Sequence, residues 1–152
     1  MQEWTRQVGA RTRPERTEAF HVNGHGAVGD GRTLDTVSIQ AAIDACAAQG
    51  GGMVRFDPGV YLTGSVFVKE GVILRVDEGV EILASQDLAD YPEIDTRVAG
   101  IEMRWPAALI NVCGQDNVAV VGEGCVNAQG SPFRQRYWTL RREEYEPQGL
   151  QW

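Results

Sequence analysis

The sequence of 152 residues has little cysteine, little histidine and no long apolar run. Its three cysteines, Cys46, Cys113 and Cys125, include no CxxC pair, which excludes a zinc site of the usual spacing and a disulfide framework. We interpret all three as buried free thiols. No apolar segment approaches the roughly 18 residues of a membrane span, and the first twenty residues contain no apolar signal-peptide core. We therefore expect no membrane partner and a cytoplasmic location, unless the N-terminus is incomplete.

Basic residues are scarce in the middle of the chain. Residues 23–130 carry six basic and 15 acidic side chains, whereas residues 1–22 and 131–152 each carry four basic and three acidic ones. Nonspecific nucleic-acid binding rests on a basic surface, so no nucleic-acid partner is expected. Length and composition indicate one soluble globular domain, predicted to span residues 20–152. Residues 1–19 lack apolar periodicity and are predicted to form a mobile N-terminal arm.

Glycine is abundant, with 18 copies, and several glycines frame a predicted helical unit within residues 26–60. Asp35 is predicted to be the N-cap of a helix that begins near Thr36, because its carboxylate can accept from the unpaired N–H groups of the first turn. The helix carries an apolar stripe of Ile39, Ile43, Cys46 and Ala47. It is predicted to end at the run Gly50, Gly51 and Gly52.

Short segments rich in β-branched residues lie before and after this helix, with glycine turns between them. The predicted strands are residues 20–22, 54–56, 65–68, 72–76, 80–84, 108–112, 118–121 and 125–127. In residues 72–84 the side chains are predicted to alternate, with 72, 74, 76, 80, 82 and 84 facing inward and Arg75 facing the other way. An antiparallel sandwich favours Asn-Gly or Asp-Gly hairpin turns, and none separates two of these strands. A solenoid needs only single-glycine corners, and the preceding helix then caps its open end. Residues 85–107 interrupt the strands and are predicted to be a long loop bordering a binding site.

Several stretches follow one another in a familiar order: GAVGDGRTLDT, IQAAIDAC, VRFDPGVYLTGSVFVKEGVILRVDEGVEILAS, DLADYP and WPAALINVCGQDNVAVVGEG. Together they resemble the N-terminal portion of the polygalacturonase-type glycosidases, glycoside hydrolase family 28. The tail, with Trp138, Tyr145 and residues 149–152, looks like bacterial exo-acting members. The resemblance implies an all-β fold, a right-handed single-stranded parallel β-helix with an N-terminal capping helix. The chain is expected to end after the first few coils.

Members of this family hydrolyse galacturonan or rhamnogalacturonan with inversion. The resemblance therefore implies the N-terminal part of a hydrolase acting on pectic, galacturonate-containing polysaccharide, with no cofactor and no metal. An inverting glycosidase needs an acid and a base carboxylate roughly 6.5–9.5 Å apart. The family's Asn-Thr-Asp motif, Asp-Asp pair, Gly-His-Gly and Arg-Ile-Lys motifs do not occur here in their proper context. No catalytic residue is predicted in this chain, and the catalytic aspartates are expected beyond residue 152.

Arginines and aromatic residues stand together in the tail, at Arg134, Arg136, Tyr137 and Trp138. Guanidinium forks suit uronate carboxylates, and flat aromatic rings stack on sugar faces. We predict that these four residues bind the acidic polysaccharide or oligosaccharide substrate. A polar helix with one buried aromatic edge is the structural explanation of the same residues.

Other patterns admit other interpretations. The tripeptide Gly-His-Gly at residues 24–26 precedes the capping helix, so we interpret its match to the catalytic motif as coincidence. Residues 24–29 match the dinucleotide fingerprint, with Asp57 as a ribose-binding acid, but the third glycine does not open a helix. His21 and His25 have a metal-pair spacing only within a helix. A Rossmann-type nucleotide-binding protein and a non-catalytic carbohydrate-binding or tailspike-like β-helix stay as alternatives.

Carboxylates also cluster in sequence at Asp77, Glu78 and Glu81. They fall at a predicted coil corner and at outward positions, where solvated charge is expected. We assign them no catalytic role.

Overall fold

The computed structural model describes residues 14–98, 100–145 and 147. Most of the predicted arm, through residue 13, and the tail residues 148–152 lie outside this part. The described residues form the strands β1 (Ala19–His21), β2 (Asp30–Leu34), β3 (Gly52–Arg55), β4 (Gly59–Thr63), β5 (Val66–Phe67), β6 (Val72–Arg75), β7 (Val80–Ala84), β8 (Glu93–Val98), β9 (Ile101–Pro106), β10 (Ile110–Asn111), β11 (Ala119–Val121) and β12 (Cys125–Asn127).

Two α-helices accompany the strands in the described part, α1 (Thr36–Ala48) and α2 (Gly130–Leu140). Helix α2 continues into a π-helical turn, Arg141–Tyr145. Short 3₁₀ turns lie at Val22–His25 and Leu88–Asp90. No helix among the described residues has the length and apolar character to cross a membrane.

The described residues form three parallel ladders, and successive coils contribute strands to them. The first ladder stacks β1, β3, β6 and β11, the second stacks β2, β4, β7 and β12, and the third stacks β5 and β10. Val54 pairs with Leu74, and Leu74 pairs in turn with Val120. A chain that returns to the same ladders coil after coil is a solenoid, so the predicted parallel β-helix is confirmed. The Rossmann alternative is wrong, because the described sheets do not form one layer between helices.

Apolar side chains fill the space inside the three ladders. Val54 and Leu74 of the first ladder, Tyr61 and Ile82 of the second and Val66 of the third are each at most 2% exposed. Burial of such a side chain stabilises the fold by roughly 1.5–3 kcal/mol. Even-numbered residues from 72 to 76 and from 80 to 84 are also buried, which confirms the alternation predicted from the sequence.

Strands β2 and β4 are absent from the sequence prediction. Strand β4 begins at Gly59 and ends directly before Gly64, so turn-forming residues enclose it in the sequence, although Tyr61 and Thr63 are buried in alternation within it. In β2 the Asp30 carboxylate accepts from the backbone N–H groups of Arg32 (2.8 Å) and Thr33 (2.7 Å). Because of this local turn the sequence does not show the pattern of a strand. The strand forms because it pairs with β4.

Helix α1 begins at Thr36 as predicted, but Asp35 does not cap it through its side chain. The Asp35 carboxylate accepts instead from the backbone N–H groups of Val28 (2.8 Å) and Gly29 (3.0 Å). Asp35 therefore holds the N-cap position as predicted, but the predicted hydrogen bond from its carboxylate to the first turn is absent. Asp35 is only 1% exposed, and a buried carboxylate needs hydrogen-bond donors. The two N–H groups meet that need and join the loop at residues 28–29 to the start of α1.

The prediction of buried thiols is right at the capped end of the solenoid and wrong at the other end. Cys46 is buried on the apolar stripe of α1, where burial, with a smaller contribution from Glu18, raises the pKa of its thiol to about 11. Cys113 and Cys125 are exposed, so the prediction of buried thiols is wrong for both. Cys125 lies in β12, the last strand of the second ladder in the described residues, and burial decreases toward that end.

The Gln40 side chain replaces a strand at the start of the third ladder. The first two ladders begin with β1 and β2, whereas the third begins with β5. The Gln40 amide oxygen accepts from the backbone N–H of Phe67 at 2.8 Å, and its amide nitrogen donates to the Phe67 carbonyl at 3.0 Å. A neighbouring strand makes the same two kinds of bond. Helix α1 thereby covers this end of the solenoid, in keeping with its predicted capping role.

We expect the substitution Gln40→Ala to lower the free energy of unfolding by about 1–3 kcal/mol, because the Phe67 N–H then loses the acceptor at this end of the ladder. Urea denaturation followed by circular dichroism measures the loss. Gln49→Ala is the matched control, since Gln49 is exposed just beyond the same helix, and its effect should stay within about 0.5 kcal/mol. Equal losses in the two variants would contradict the role of Gln40.

Candidate functional site

The large insertions in the solenoid all begin at one corner, directly after a strand of the second ladder. Helix α1 follows β2, the β8–β9 hairpin follows β7, and α2 follows β12. We call this position the insertion corner. In solenoids, insertions gather on one face, and that face often binds ligands. The insertion corner is therefore the candidate functional site.

The predicted long loop at residues 85–107 contains an antiparallel hairpin. Strands β8 and β9 pair over six positions, from Glu93 with Pro106 to Val98 with Ile101. The expectation of an irregular loop is therefore wrong for most of this segment. Gly100, directly before β9, has a φ of 87°. The sequence between the two strands lacks the Asn-Gly or Asp-Gly pair that signals a hairpin.

The base of this hairpin is fastened to the coil below it. The Asp90 carbonyl accepts from the backbone N–H of Ser65 at 3.1 Å. Ser85 donates its hydroxyl hydrogen to the Asp90 carboxylate, and the Tyr91 hydroxyl donates to the Ser85 carbonyl at 2.7 Å. A Cβ atom at Gly64 would lie 2.2 Å from the Asp90 carbonyl oxygen. The close approach of these two segments therefore requires glycine at position 64.

Helix α2 carries all four residues that the sequence predicts to bind substrate. Arg134, Tyr137 and Trp138 share one face, because residues three and four apart are neighbours on a helix. Arg136 lies two positions from Arg134 and about 200° around the helix, on the other side. The rings of Tyr137 and Trp138 meet edge to face with centroids 5.3 Å apart. Both are exposed, at 43% and 45%, and so are available to a ligand.

Arg141 belongs to the same group of arginines and aromatic residues in the sequence, but it is not among the four residues predicted to bind substrate. It is the first residue of the π-helical turn, and its guanidinium carbon lies 5.2 Å from the centroid of the Trp138 ring. This distance is within the range of a cation–π interaction. The signal available in the sequence was the spacing of 134, 137, 138 and 141, which places the four side chains on one helical face.

Two glutamine side chains join the start of α2 to the start of the hairpin segment. The Gln129 side chain donates to the Ala84 carbonyl at 2.7 Å, and the Gln86 side chain donates to the Gln129 carbonyl at 3.2 Å. Ala84 ends β7 and Gln129 directly precedes α2. The two insertions therefore begin within one hydrogen-bonded network.

The charge of this region differs from that of the whole chain. Residues 130–142 contain four arginines and no acidic residue, although the formal net charge of the chain is −7. Such a segment attracts polyanions through its guanidinium groups. The exposed aromatic rings on the same helix add flat apolar surface.

At the solenoid corner near residue 77, the carboxylate of Asp77 forms ion pairs. Asp77 accepts from Arg75 Nε at 2.6 Å and from Arg55 Nη2 at 2.9 Å. Hydrogen bonds from Arg75, and then from Arg55, lower its pKa. A general acid in a glycosidase needs a raised pKa, so Asp77 is unsuited to protonating a leaving group. Its assignment as a non-catalytic residue agrees with this geometry.

Other residues for which the sequence admits alternative interpretations also have local partners. Asp57, the candidate ribose-binding acid, lies 3.4 Å from Nδ1 of His21. Among the described residues no three His, Cys, Asp or Glu side chains come together in a way that could hold a metal ion.

No family model matches this sequence. The exo-poly-alpha-D-galacturonosidase of Dickeya chrysanthemi is 31% identical over 121 residues, which are 74% of this chain and 20% of that protein. The crystal structure of a hyperthermoactive exopolygalacturonase from Thermotoga maritima matches with a TM-score of 0.71 at 32% identity, over 76% of this chain and 26% of the other. The chain thus spans about a fifth to a quarter of these relatives. Its homologues and structural neighbours include polygalacturonases and exopolygalacturonases, which confirms the family resemblance.

A shorter stretch of this chain is similar to an enzyme that carries out a different reaction. The mannuronan C5-epimerase AlgE6 of Azotobacter vinelandii is 55% identical over 42 residues, which are 28% of this chain and 5% of that protein. Proteins that carry out different reactions therefore share part of this sequence.

We expect Gly64→Ala to loosen the base of the hairpin and to cost roughly 1–3 kcal/mol, as overpacking of a filled site does. Limited trypsin digestion measures the loosening of the hairpin. Cleavage after Arg97 and Arg104 should become severalfold faster. Gly24→Ala is the control, because a Cβ there has no neighbour within 4 Å. Unchanged digestion of the Gly64 variant would contradict the close packing.

The lowered pKa of Asp77 predicts a pH-dependent contribution to stability. A carboxyl group whose pKa falls on folding stabilises the protein above its unfolded pKa, and this contribution is lost as the pH falls through the folded-state pKa. The difference in Tm between the native chain and Asp77→Asn should thus be largest near pH 7 and shrink below about pH 4. Thermal denaturation across this range checks it, with Glu78→Gln as control. A difference that is constant with pH would contradict the ion-pair explanation.

Proposed function

We propose that this chain is the N-terminal scaffold of a glycoside hydrolase that cleaves pectic, galacturonate-containing polysaccharide. The observation that carries the proposal is the capped three-ladder solenoid, with its likeness in sequence and structure to exo-acting polygalacturonases. The role of this chain is to build the end of the solenoid and the insertion corner.

The proposed mechanism is inverting hydrolysis by two carboxylates, one acting as general acid and the other as general base toward water. We assign this pair to later coils of the whole enzyme. Two features of the described residues support the assignment. Asp77 is held ionised by its arginines, and the inner-column side chains Val120 and Val126 are 47% and 48% exposed on the last coil. A further coil in register buries them.

The substrate-binding role of Arg134, Arg136, Tyr137 and Trp138 also stays a proposal. Its support is the basic, aromatic surface of α2 beside the hairpin. In this arrangement the helix holds the acidic polysaccharide while cleavage takes place on other coils. A non-catalytic carbohydrate-binding β-helix is the second candidate, because the exposed face of α2 needs no catalytic carboxylate to bind a polyanion.

A chimera separates these two candidates. This chain replaces the homologous segment of the Dickeya chrysanthemi enzyme, and release of reducing ends from polygalacturonate is measured. We expect the folded chimera to hydrolyse the polymer and the 152-residue chain alone to release nothing. The chimera with Val54→Asp, which places a charge in the core, is the inactive control.

Two results would contradict the proposal. A chimera with native-like circular dichroism and cooperative unfolding, but without hydrolysis, would favour the non-catalytic candidate. Hydrolysis by the isolated chain, abolished by substitution of one of its own carboxylates, would show that the catalytic pair lies within these residues.

A further inference from the structure

We propose that the outer edge of β9 is an interaction surface for a second copy of this chain. The two β9 strands pair antiparallel about a twofold axis and join two β8–β9 hairpins into one four-stranded sheet. This association is independent of the reaction proposed above, because it needs neither a catalytic carboxylate nor a sugar. Its basis is the distribution of apolar and charged residues on the hairpin.

The two faces of the hairpin differ in polarity. Residues directly opposite each other in an antiparallel pair share a face. One face carries the pairs Ile94 with Trp105, Thr96 with Met103 and Val98 with Ile101, and the other carries the charged residues of both strands. Ile101 is 66% exposed and Trp105 is 46% exposed. A two-stranded hairpin is marginally stable in water, whereas three or more strands with an apolar face are stable. The hairpin therefore gains stability when further strands join it.

The outer edge of β9 is open to another strand. In the described part of the chain, β8 and β9 form a sheet of two strands, with no third strand beside β9. The backbone N–H and C=O groups of such an edge are a template for pairing with another chain. Residues 101–105 contain no proline, so every one of them keeps its N–H group. Both strongly exposed apolar residues of the hairpin, Ile101 and Trp105, lie on β9, which favours this edge over that of β8.

The charges on β9 select an identical partner and a single register. Glu102 and Arg104 stand on either side of Met103. With Met103 opposite Met103 of the second copy, each Glu102 faces an Arg104 and each Ile101 faces a Trp105 of the other copy. A shift by two residues brings like charges face to face, and a shift by one places an apolar face beside a charged face. A contact about a twofold axis requires such a self-complementary surface.

Both charged residues of β9 can accept a partner from the second copy. Among the described residues, Glu102 has no hydrogen-bond or ion-pair partner. Arg104 Nε lies 3.8 Å from the Glu93 carboxylate, and both of these side chains are mostly exposed. Exposed ion pairs of this kind contribute little, so Arg104 can also engage a carboxylate of the other copy. Charges of one sign on an edge would keep copies apart, but β9 carries one of each sign.

Sedimentation of the full chain over a range of concentrations tests the association. The contact is small, so a reversible dimer is expected whose fraction increases with concentration. Glu102→Arg and Arg104→Glu each bring like charges face to face at two positions and should each weaken the dimer about tenfold. An equimolar mixture of the two variants restores opposite charges across the contact and should dimerise like the native chain. Mixing changes no pairing inside either hairpin, so the recovery reports only on contact between copies.

Disulfide cross-linking tests the register. Cys113→Ser and Cys125→Ser first remove the exposed thiols. In this background Met103→Cys should form a linked dimer on mild oxidation, because opposite residues of antiparallel strands have Cβ atoms about 4.5–5.5 Å apart. Thr96→Cys is the matched control, since Thr96 lies opposite Met103 on the same face of the hairpin. Its counterpart in the dimer is three strand spacings away, about 14 Å, which is too far for a disulfide.

Three results would overturn the inference. The first is a native chain that stays monomeric at every concentration. The second is a mixture of the two charge variants that fails to dimerise although circular dichroism shows both to be folded. The third is cross-linking through position 96 that equals cross-linking through position 103, since the copies would then meet in another arrangement. Hydrolysis by the chimera reports separately on the proposed function and is unaffected by any of these results.

Discussion

In-register stacking of parallel strands is the constraint on which the other features depend. Each strand hydrogen-bonds to its equivalent in the coil before it, and the inner side chains form columns that exclude water. Such a stack has an end where peptide groups and apolar side chains lack partners. Helix α1 covers that end, the Gln40 amide supplies the missing strand bonds to Phe67, and the buried Asp35 joins the loop before the helix to its start.

The same constraint decides where function can be added. An insertion inside a ladder breaks its register, whereas an insertion at a corner leaves every strand in place. The hairpin and α2 both begin at the corner after the second ladder, and Gln86 and Gln129 join their starting points. The core and the insertion corner can therefore vary independently. This separation agrees with the presence of related sequence in both a galacturonosidase and an epimerase.

Much of the fold follows from local patterns in the sequence. The alternation in residues 72–84 and the bounds of β7 and β12 agree with the structure, because β-branched residues between glycine corners form short strands wherever they stack. Strand β2 and the β8–β9 hairpin are not predicted. Asp30 binds the N–H groups of its own strand, and the hairpin turn has an Ala-Gly sequence that carries no strong signal. Strand β2 depends on pairing with the distant strand β4, whereas the hairpin is a local pairing that its turn sequence does not signal.

The candidate site shows the same division. The sequence alone sets the residue types at positions 130–142, four arginines with three aromatic rings, and the apolar stripe that makes α1 a cap. Tertiary structure decided that Asp35 binds Val28 and Gly29 instead of the first turn of α1. It also decided that Arg141 lies over Trp138 while Arg136 points away. Composition and spacing are local properties of the chain, but the partner of a side chain depends on the backbone path that the coils impose and on the segments they bring together, as for Gln40 and Phe67.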